Sequence, residues 1–315
     1  MVRMLRRDDI ERALGMAACI AAVEAAFVAY SSGRAELPGV IHLDVPEAGG
    51  EIHVKAGHLH GAPAYAVKVA SGFAGGAAEP AIDGLVLVFD ATTGAPLAFL
   101  LDGGYLTDLR TGAAGGVAAR WLAPERVGRV AVIGTGIQAR RQVEALRMVR
   151  PGGFEVRVWG RDPAKAAAAA GAVGGRAVAE IEEAVRDADV VITCTASRKA
   201  LVESSWVRGG AHVTAVGSDG VGKQELDPEL LRRADVLVVD SLAQCRTIGE
   251  LQHAPDQAGR AVELGTLVAA GRDVRGGKAL LTVCDLTGVG VQDVAAANAV
   301  LANAPADAGE RFGPV

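Results

Sequence analysis

The sequence predicts an α/β protein in which a doubly wound parallel sheet is joined to a second, α+β domain. Three observations carry that prediction. From Arg129 onward, short apolar runs alternate with helical stretches, the pattern of parallel strands linked by crossover helices. Before that point, short strand-like runs bounded by Gly, Pro and Asp follow one another without helices between them, as in a largely antiparallel sheet. Finally, 50% of the residues are apolar but only 4% aromatic, and a core of Ala, Val, Leu and Gly suits closely packed helix–strand layers better than a β-sandwich. At roughly 150 residues per domain, a chain of 315 residues is long enough for two.

Asp8 to Tyr30 is Ala-rich, with Ile10, Leu14, Ile20, Val23 and Phe27 at helical spacing, which predicts one or two helices ending at Ser31-Ser32-Gly33. The period then becomes that of strands over Ile41–Val45, Glu51–Ala56, Tyr65–Ser71, Gly84–Asp90 and Ala95–Leu101, and that of a helix over Tyr105–Leu122. Further strands are predicted at Val130–Gly134, Glu155–Gly160, Val190–Thr195, His212–Val216, Val236–Asp240 and Leu281–Asp285, with helices between most of them. The low-complexity run Ala166–Ala170 is explained by a surface helix, since Ala is the best helix former. Val291 to Ala304 is a last Ala-rich helix, expected to pack back on the first domain. The predicted division is 1–120, completed by 291–315, for the α+β domain and 121–290 for the parallel one.

Composition also excludes several function classes. Lys plus Arg number 32 against 37 Asp plus Glu, a net charge of −5 without a basic block, so nucleic acid is not an expected partner. Cys19, Cys194, Cys245 and Cys284 are far apart with no CxxC pair, which argues against a disulfide framework or a zinc site and for buried free thiols. No apolar run reaches ~18 residues, so no membrane span is expected. The start, MVRMLRRDDIERAL, lacks the apolar stretch of a signal peptide, and a cytoplasmic location is expected.

Gly134-Thr135-Gly136-Ile137-Gln138-Ala139 is a GxGxxA run. Alone such a run is weak evidence. Here it follows the apolar strand Val130–Ile133 and opens a helix through Leu146, the context its chemistry requires. Gly134 permits the tight turn, Gly136 lets a pyrophosphate approach the backbone, and Ala139 keeps the helix close to the strand; the anion then meets free N–H groups at the positive helix end. These residues predict a Rossmann-type domain that binds a nicotinamide dinucleotide. At the end of the second strand, NAD-specific folds usually place an acid for the ribose 2′-hydroxyl. This chain has Gly160 there, followed by Arg161, and a guanidinium attracts the 2′-phosphate that a carboxylate would repel. Arg161 therefore favours NADP(H). NAD(H) is the alternative if Asp162 turns inward, and Asp162 can also simply cap the helix Pro163–Ala170.

Outside this motif, Lys55 and Lys68 sit in HVKAG and YAVKVAS. Lys68 points away from the face carrying Val67 and Val69, either into solvent or into a cleft as an anion clamp. Arg110 lies in YLTDLRTGAAGG, a helix crowded with small residues that permit close approach. Asp219, in VGSDGVGKQEL, follows a predicted parallel strand, where open α/β sheets bind ligands. Its carboxylate can move a proton to or from an amine, or it can form an Asx turn with Ser218. His53, His58 and His60 cluster without ligating carboxylates or zinc spacing, and no metal is expected. Asp293 reads as a first-turn acid complementing a helix dipole.

Over almost the whole chain, HVKAG, YAVKVASGF, GLVLVFDATTGAPLAFLLDGGYLTDLRTGAAGG, VAVIGTGIQAR, VRVWGRDPAKA, AVGSDGVGKQELD and DLTGVGVQD, in this order, resemble the ornithine cyclodeaminase/μ-crystallin family. The resemblance implies NAD(P)-dependent oxidoreductase chemistry at the Cα–N bond of a small amino acid or cyclic imine. The activities it allows are those of cyclodeaminases, alanine-type dehydrogenases and ketimine or pyrroline-carboxylate reductases. It implies a homodimer whose N-terminal domain supplies subunit contacts and substrate groups. It implies that Lys68 and Arg110 hold the substrate carboxylate, that Thr111 lines the site, that Glu51 or Lys55 lies close to the pocket, and that Asp219 is the acid/base at the substrate nitrogen, which makes Lys68 and Asp219 the catalytic pair. μ-Crystallin adds a different class, a protein that holds NADP(H) and a small ligand without turnover. Two departures keep ornithine itself from being carried over: Val40 stands where many members have an Arg as a further carboxylate ligand, and SDGVGKQ differs from the ornithine cyclodeaminase form of the loop.

Overall fold

The computed structural model describes residues 1–73, 82–271 and 273–313. The first part of the chain forms β1 (Val2–Arg6), α1 (Arg7–Ala13), α2 (Met16–Ser31), β2 (Ala35–Glu36), β3 (Ile41–Val45), β4 (Gly50–Leu59), β5 (Ala64–Phe73), β6 (Ile82–Asp90), β7 (Pro96–Leu101) and α3 (Tyr105–Leu122). There follow β8 (Arg129–Ile133), α4 (Ile137–Val149), β9 (Glu155–Trp159), α5 (Pro163–Ala172), β10 (Arg176–Ala177), α6 (Ile181–Val185), β11 (Val190–Thr193), β12 (Arg198–Val202), β13 (His212–Ala215), β14 (Gln224–Leu226), α7 (Pro228–Arg233), β15 (Val236–Val239), α8 (Leu242–Ile248), β16 (Val262–Glu263), α9 (Leu264–Ala270) and β17 (Thr282–Asp285). The chain ends in α10 (Gly290–Asn303) and β18 (Glu310–Phe312).

The chain divides into two compact units, Met1–Arg110 with Gly290–Val315, and Thr111–Val289. The division falls inside α3, ahead of the position near 120 that periodicity suggests. Hydrogen bonds give the reason. Gln142 donates to the carbonyl of Thr111, Arg150 to those of Arg120 and Ala123, and Arg275 to that of Leu122, so the second half of α3 is tied to the parallel-sheet unit.

In the first unit the sheet order is β18-β1-β7-β6-β5-β4-β2, with β3 also on β4. All its pairs are antiparallel except β1 with β7. β1 and β18 were not legible in the sequence: each is short and carries charge, so neither shows a strand period. On β5, Ala64, Ala66 and Lys68 turn to the buried side. α10 packs on α2, β4 and β5, returning to this unit as its composition suggests.

In the second unit the order is β10-β9-β8-β11-β13-β17-β15-β16, parallel throughout. Along β8, Val130 and Val132 enter one core while Ala131 and Ile133 enter the other. A strand buried on both faces has no polar side to show, which is why these strands read as continuous apolar runs. From β8 the chain leaves to β9 on one side and returns to β11 on the other, so the topological switch point lies between β8 and β11. Open α/β sheets bind ligands at that point, beyond the carboxyl ends of the strands. β12 and β14 form a small separate ribbon. The four cysteines are free, with Cys19, Cys245 and Cys284 buried. Among the described residues no single helix is long and apolar enough to cross a membrane.

Candidate active site

β8 runs into Gly134 at φ 135°, a conformation side chains rarely adopt. Gly136 is the N-cap of α4, no side chain caps it, and the space beyond its Cα is open. The start of α4 therefore turns its positive end, with no N-cap side chain over it, toward that open space, where an anion is favoured. Ala139 is buried in the core between α4 and the sheet. A cleft of about 700 Å³ opens here, lined by Gly134, Thr135 and Gly136, by residues 159–161 at the end of β9, and by residues from 194 to 201 after β11. Arg161, Arg198 and Lys199 are its cations, and no carboxylate is among its described lining residues. Ile137 and Gln138 open α4 directly behind the turn. An uncapped helix start, open approach at Gly136 and a cationic cleft fit a dinucleotide pyrophosphate.

Gly160 stands where the ribose acid would be, and a Cβ there would lie 2.3 Å from Thr135 Cγ2, so an acid at this position would require Thr135 to turn aside. Asp162 is the N-cap of α5, accepting from the N–H groups of Ala164 at 2.8 Å and Lys165 at 3.2 Å. Of the roles open to Asp162 in the sequence, the structure shows the cap. Asp162→Ala should therefore cost about 1 kcal/mol of stability and leave the affinities for NADH and NADPH unchanged. Thermal melts and fluorescence titration check this, and a loss of NADH affinity would reinstate Asp162 as a ribose ligand.

The first unit holds a second cluster. Lys68 Nζ and Arg110 Nε both donate to Asp293 Oδ1, at 2.8 and 3.0 Å, and all three side chains are buried. Arg110 Nη1 donates to Gln292 Oε1 at 2.8 Å. This extends the sequence reading of Asp293. It does lie in the first turn of α10, and it is also the buried counter-ion of both cations. The partners are 225 and 183 residues away, so no local pattern could reveal the pairing. Burial, only partly offset by Asp293 and reinforced by the Arg110 and Lys55 charges, lowers Lys68 to about 7. Burial would raise Asp293, but the charges of Lys68, Arg110 and Lys55 outweigh it and hold the carboxyl at about 2.

Lys55 stands directly opposite Lys68 across the β4–β5 pair. Like charges so placed repel. Asp293 Oδ2 and Gln292 Nε2 have no hydrogen-bond partner among the described residues. Asp102, another residue with no sequence signal, accepts from the N–H of Leu106 at 2.8 Å in the first turn of α3, and burial raises its carboxyl to about 6.

The remaining sequence candidates are more dispersed. Thr111 follows Arg110 in α3, its carbonyl taken by Gln142. Glu51 is exposed at the start of β4, 3.8 Å from His53, and is not brought to the Lys68 cluster. Four of the six histidines form two pairs, His42 with His53 and His58 with His60, and among the described residues no three metal-ligating groups gather. Asp219 is exposed on the loop after β13, where Oδ1 accepts from Lys223 Nζ at 2.6 Å. Ser218 donates to the Lys223 carbonyl, so the loop closes on itself through Lys223.

Comparison with known proteins places these features. Residues 2–307 match the Ornithine cyclodeaminase/mu-crystallin family. The alanine dehydrogenase of Archaeoglobus fulgidus is 36% identical over 312 residues, covering 96% of this chain and 94% of the relative. An archaeal alanine dehydrogenase dimer with bound NAD superposes with a TM-score of 0.89 at 34% identity, covering 99% of both chains. The Δ1-pyrroline-2-carboxylate reductase of Thermococcus litoralis, in complex with NADH and L-proline, superposes with a TM-score of 0.87 at 30% identity, covering 96% of this chain and 97% of that one.

Proposed function

Since the chain belongs to the ornithine cyclodeaminase/mu-crystallin family, we propose that it is a nicotinamide-dinucleotide-dependent oxidoreductase acting on the Cα–N bond of a small amino acid or cyclic imine. The observation that carries this proposal is the buried cluster in which Lys68 and Arg110 share the one carboxylate of Asp293 with Lys55 alongside. Two buried cations gathered on one carboxylate oxygen suit a substrate carboxylate, and charge-assisted hydrogen bonds to it orient the adjacent Cα. Alanine and pyrroline-2-carboxylate, the substrates for which two relatives are named, both carry a carboxylate on the carbon that bears nitrogen.

A bound nicotinamide supplies the hydride acceptor or donor for this chemistry. Lys68 and Arg110 hold the carboxylate, with Thr111 beside them. Asp219 takes the proton from nitrogen as the amine is oxidised, or returns it as the imine is reduced. A cyclodeaminase would release ammonia and regenerate its cofactor, whereas a reductase or dehydrogenase stops after one hydride transfer and consumes it. Arg161, Arg198 and Lys199 in a cleft without a lining carboxylate favour NADP(H). The two solved relatives hold NAD or NADH, so both cofactors belong in the assay. We also propose a homodimer: β3 exposes Ile41 and Leu43 at the sheet edge, an apolar edge that a second chain would cover.

The test is an absorbance assay at the reduced-nicotinamide band, with NADH and NADPH run separately against cyclic imines and amino acids. Once a substrate is found, Asp219→Asn should lower kcat by about 10²–10⁴-fold, and Arg110→Ala should raise KM by at least about tenfold. If both variants keep near-full turnover, the assignment fails. Cofactor binding with no turnover across the panel would favour a ligand-binding protein instead.

A further inference from the structure

We propose that Glu225 is a positioning residue that braces the dinucleotide cleft and the Asp219 loop against each other. It lies in β14, fully buried, and nothing in the chemistry above uses it. Its Oε1 accepts from the N–H of Thr195 at 2.5 Å. Its Oε2 accepts from Thr193 Oγ1 and from the N–H of Gly217, each at 2.8 Å. Both oxygens face donors, two of them backbone N–H groups that cannot accept in return, and these hydrogen bonds oppose the burial that pushes the Glu225 carboxyl above its ordinary range. The strand carrying it is itself anchored, because Glu250 accepts from the N–H groups of Glu225 and Leu226 at 2.7 and 3.2 Å.

The groups it joins give the brace its meaning. Thr195 belongs to the segment after β11 that lines the dinucleotide cleft. Gly217 leads directly into Ser218 and Asp219, and the Asp219 N–H donates to the Gly217 carbonyl. These segments are pressed together. A Cβ at Gly217 would lie 2.1 Å from the Thr195 carbonyl oxygen and 2.6 Å from Glu225 Oε1. On the other side, a Cβ at Gly134 would lie 2.6 Å from the carbonyl oxygen of Cys194, the residue before Thr195. A continuous line of contacts therefore runs from the fingerprint turn through residues 194–195 and Glu225 to the Asp219 loop. A shift of the Glu225 carboxylate displaces both walls at once.

The part concerning Asp219 rests on its proposed acid/base role; the part concerning the cleft does not. Glu225→Gln in the full chain keeps the shape but turns an amide N–H₂ toward a backbone donor, so one buried N–H loses its acceptor. NADH titration by fluorescence should show affinity weakened by about tenfold. The kcat should fall as well, and that fall should vanish when Glu225→Gln is made in an Asp219→Asn background. A lower melting temperature with wild-type NADH affinity would make Glu225 merely structural and overturn the proposal, as would an undiminished kcat effect in the Asp219→Asn background. If Asp219→Asn alone is fully active while Glu225→Gln still weakens NADH binding, the acid/base assignment fails and the brace of the cleft stands. Should Glu225→Gln not fold, Thr193→Val removes a single donor without changing shape. It should weaken NADH binding by about threefold, and wild-type affinity in that variant overturns the proposal.

Discussion

Asp293→Asn is expected to destabilise the protein by about 3–5 kcal/mol, because removing one partner of a buried ion pair leaves the other charges uncompensated. Here Lys68 and Arg110 both lose the negative charge of the carboxylate whose Oδ1 they share. The melting temperature should drop by on the order of 10 °C. A variant that melts with the wild type would show that the cluster is already balanced by other groups. The substitution should also change the pH dependence. Lys68 sits at about 7 in the folded protein, below its ordinary 10.5. Between those values the unfolded chain holds a proton that the folded one has released, so the stability contributed at this site rises with pH over that interval. Asp293, lowered from 3.8 to about 2, adds a limb of the same sign at acid pH: its contribution is present above 3.8 and is lost as pH falls through about 2. A substrate carboxylate needs Lys68 protonated, so kcat/KM should decline as pH rises past about 7. With Asn at 293 the charge that supports the Lys68 proton is gone, and the decline should begin at lower pH.

Gly134→Ala is expected to abolish tight dinucleotide binding. At φ 135° an L side chain is strained, and the added Cβ would meet the backbone of Cys194, with 2.6 Å to its carbonyl oxygen and 3.0 Å to its carbonyl carbon. Backbone cannot swing aside as a flexible side chain can, so the turn must move away from β11 and open the floor of the cleft. We expect a stability loss of about 2–4 kcal/mol from strain and clash. NADH affinity should fall by more than about tenfold, since the N–H groups at the start of α4 no longer meet the pyrophosphate together. Fluorescence titration with NADH and a thermal melt measure both effects. Unchanged affinity would mean that the pyrophosphate is held elsewhere.

The sequence by itself determined the two-part α/β architecture and the cofactor motif. These rest on local chemistry: the period of β8 and its neighbours, the Gly134–Ala139 run between a strand and a helix, and the alternation of strands and helices after Arg129. It also marked Lys68 and Arg110 as cations on otherwise apolar or small-residue elements, with solvent and a cleft both open to Lys68. Only the tertiary structure decided that both are buried, that they share a carboxylate on α10, and that Lys55 stands across the strand pair from Lys68. It decided that Asp162 caps α5, and that Glu225 ties Thr195 to Gly217. The physical reason is the same in each case. Periodicity and turn chemistry act between residues a few positions apart and leave a mark in the sequence, whereas a buried ion pair or a carboxylate brace is formed by groups that only packing brings within 3 Å of one another.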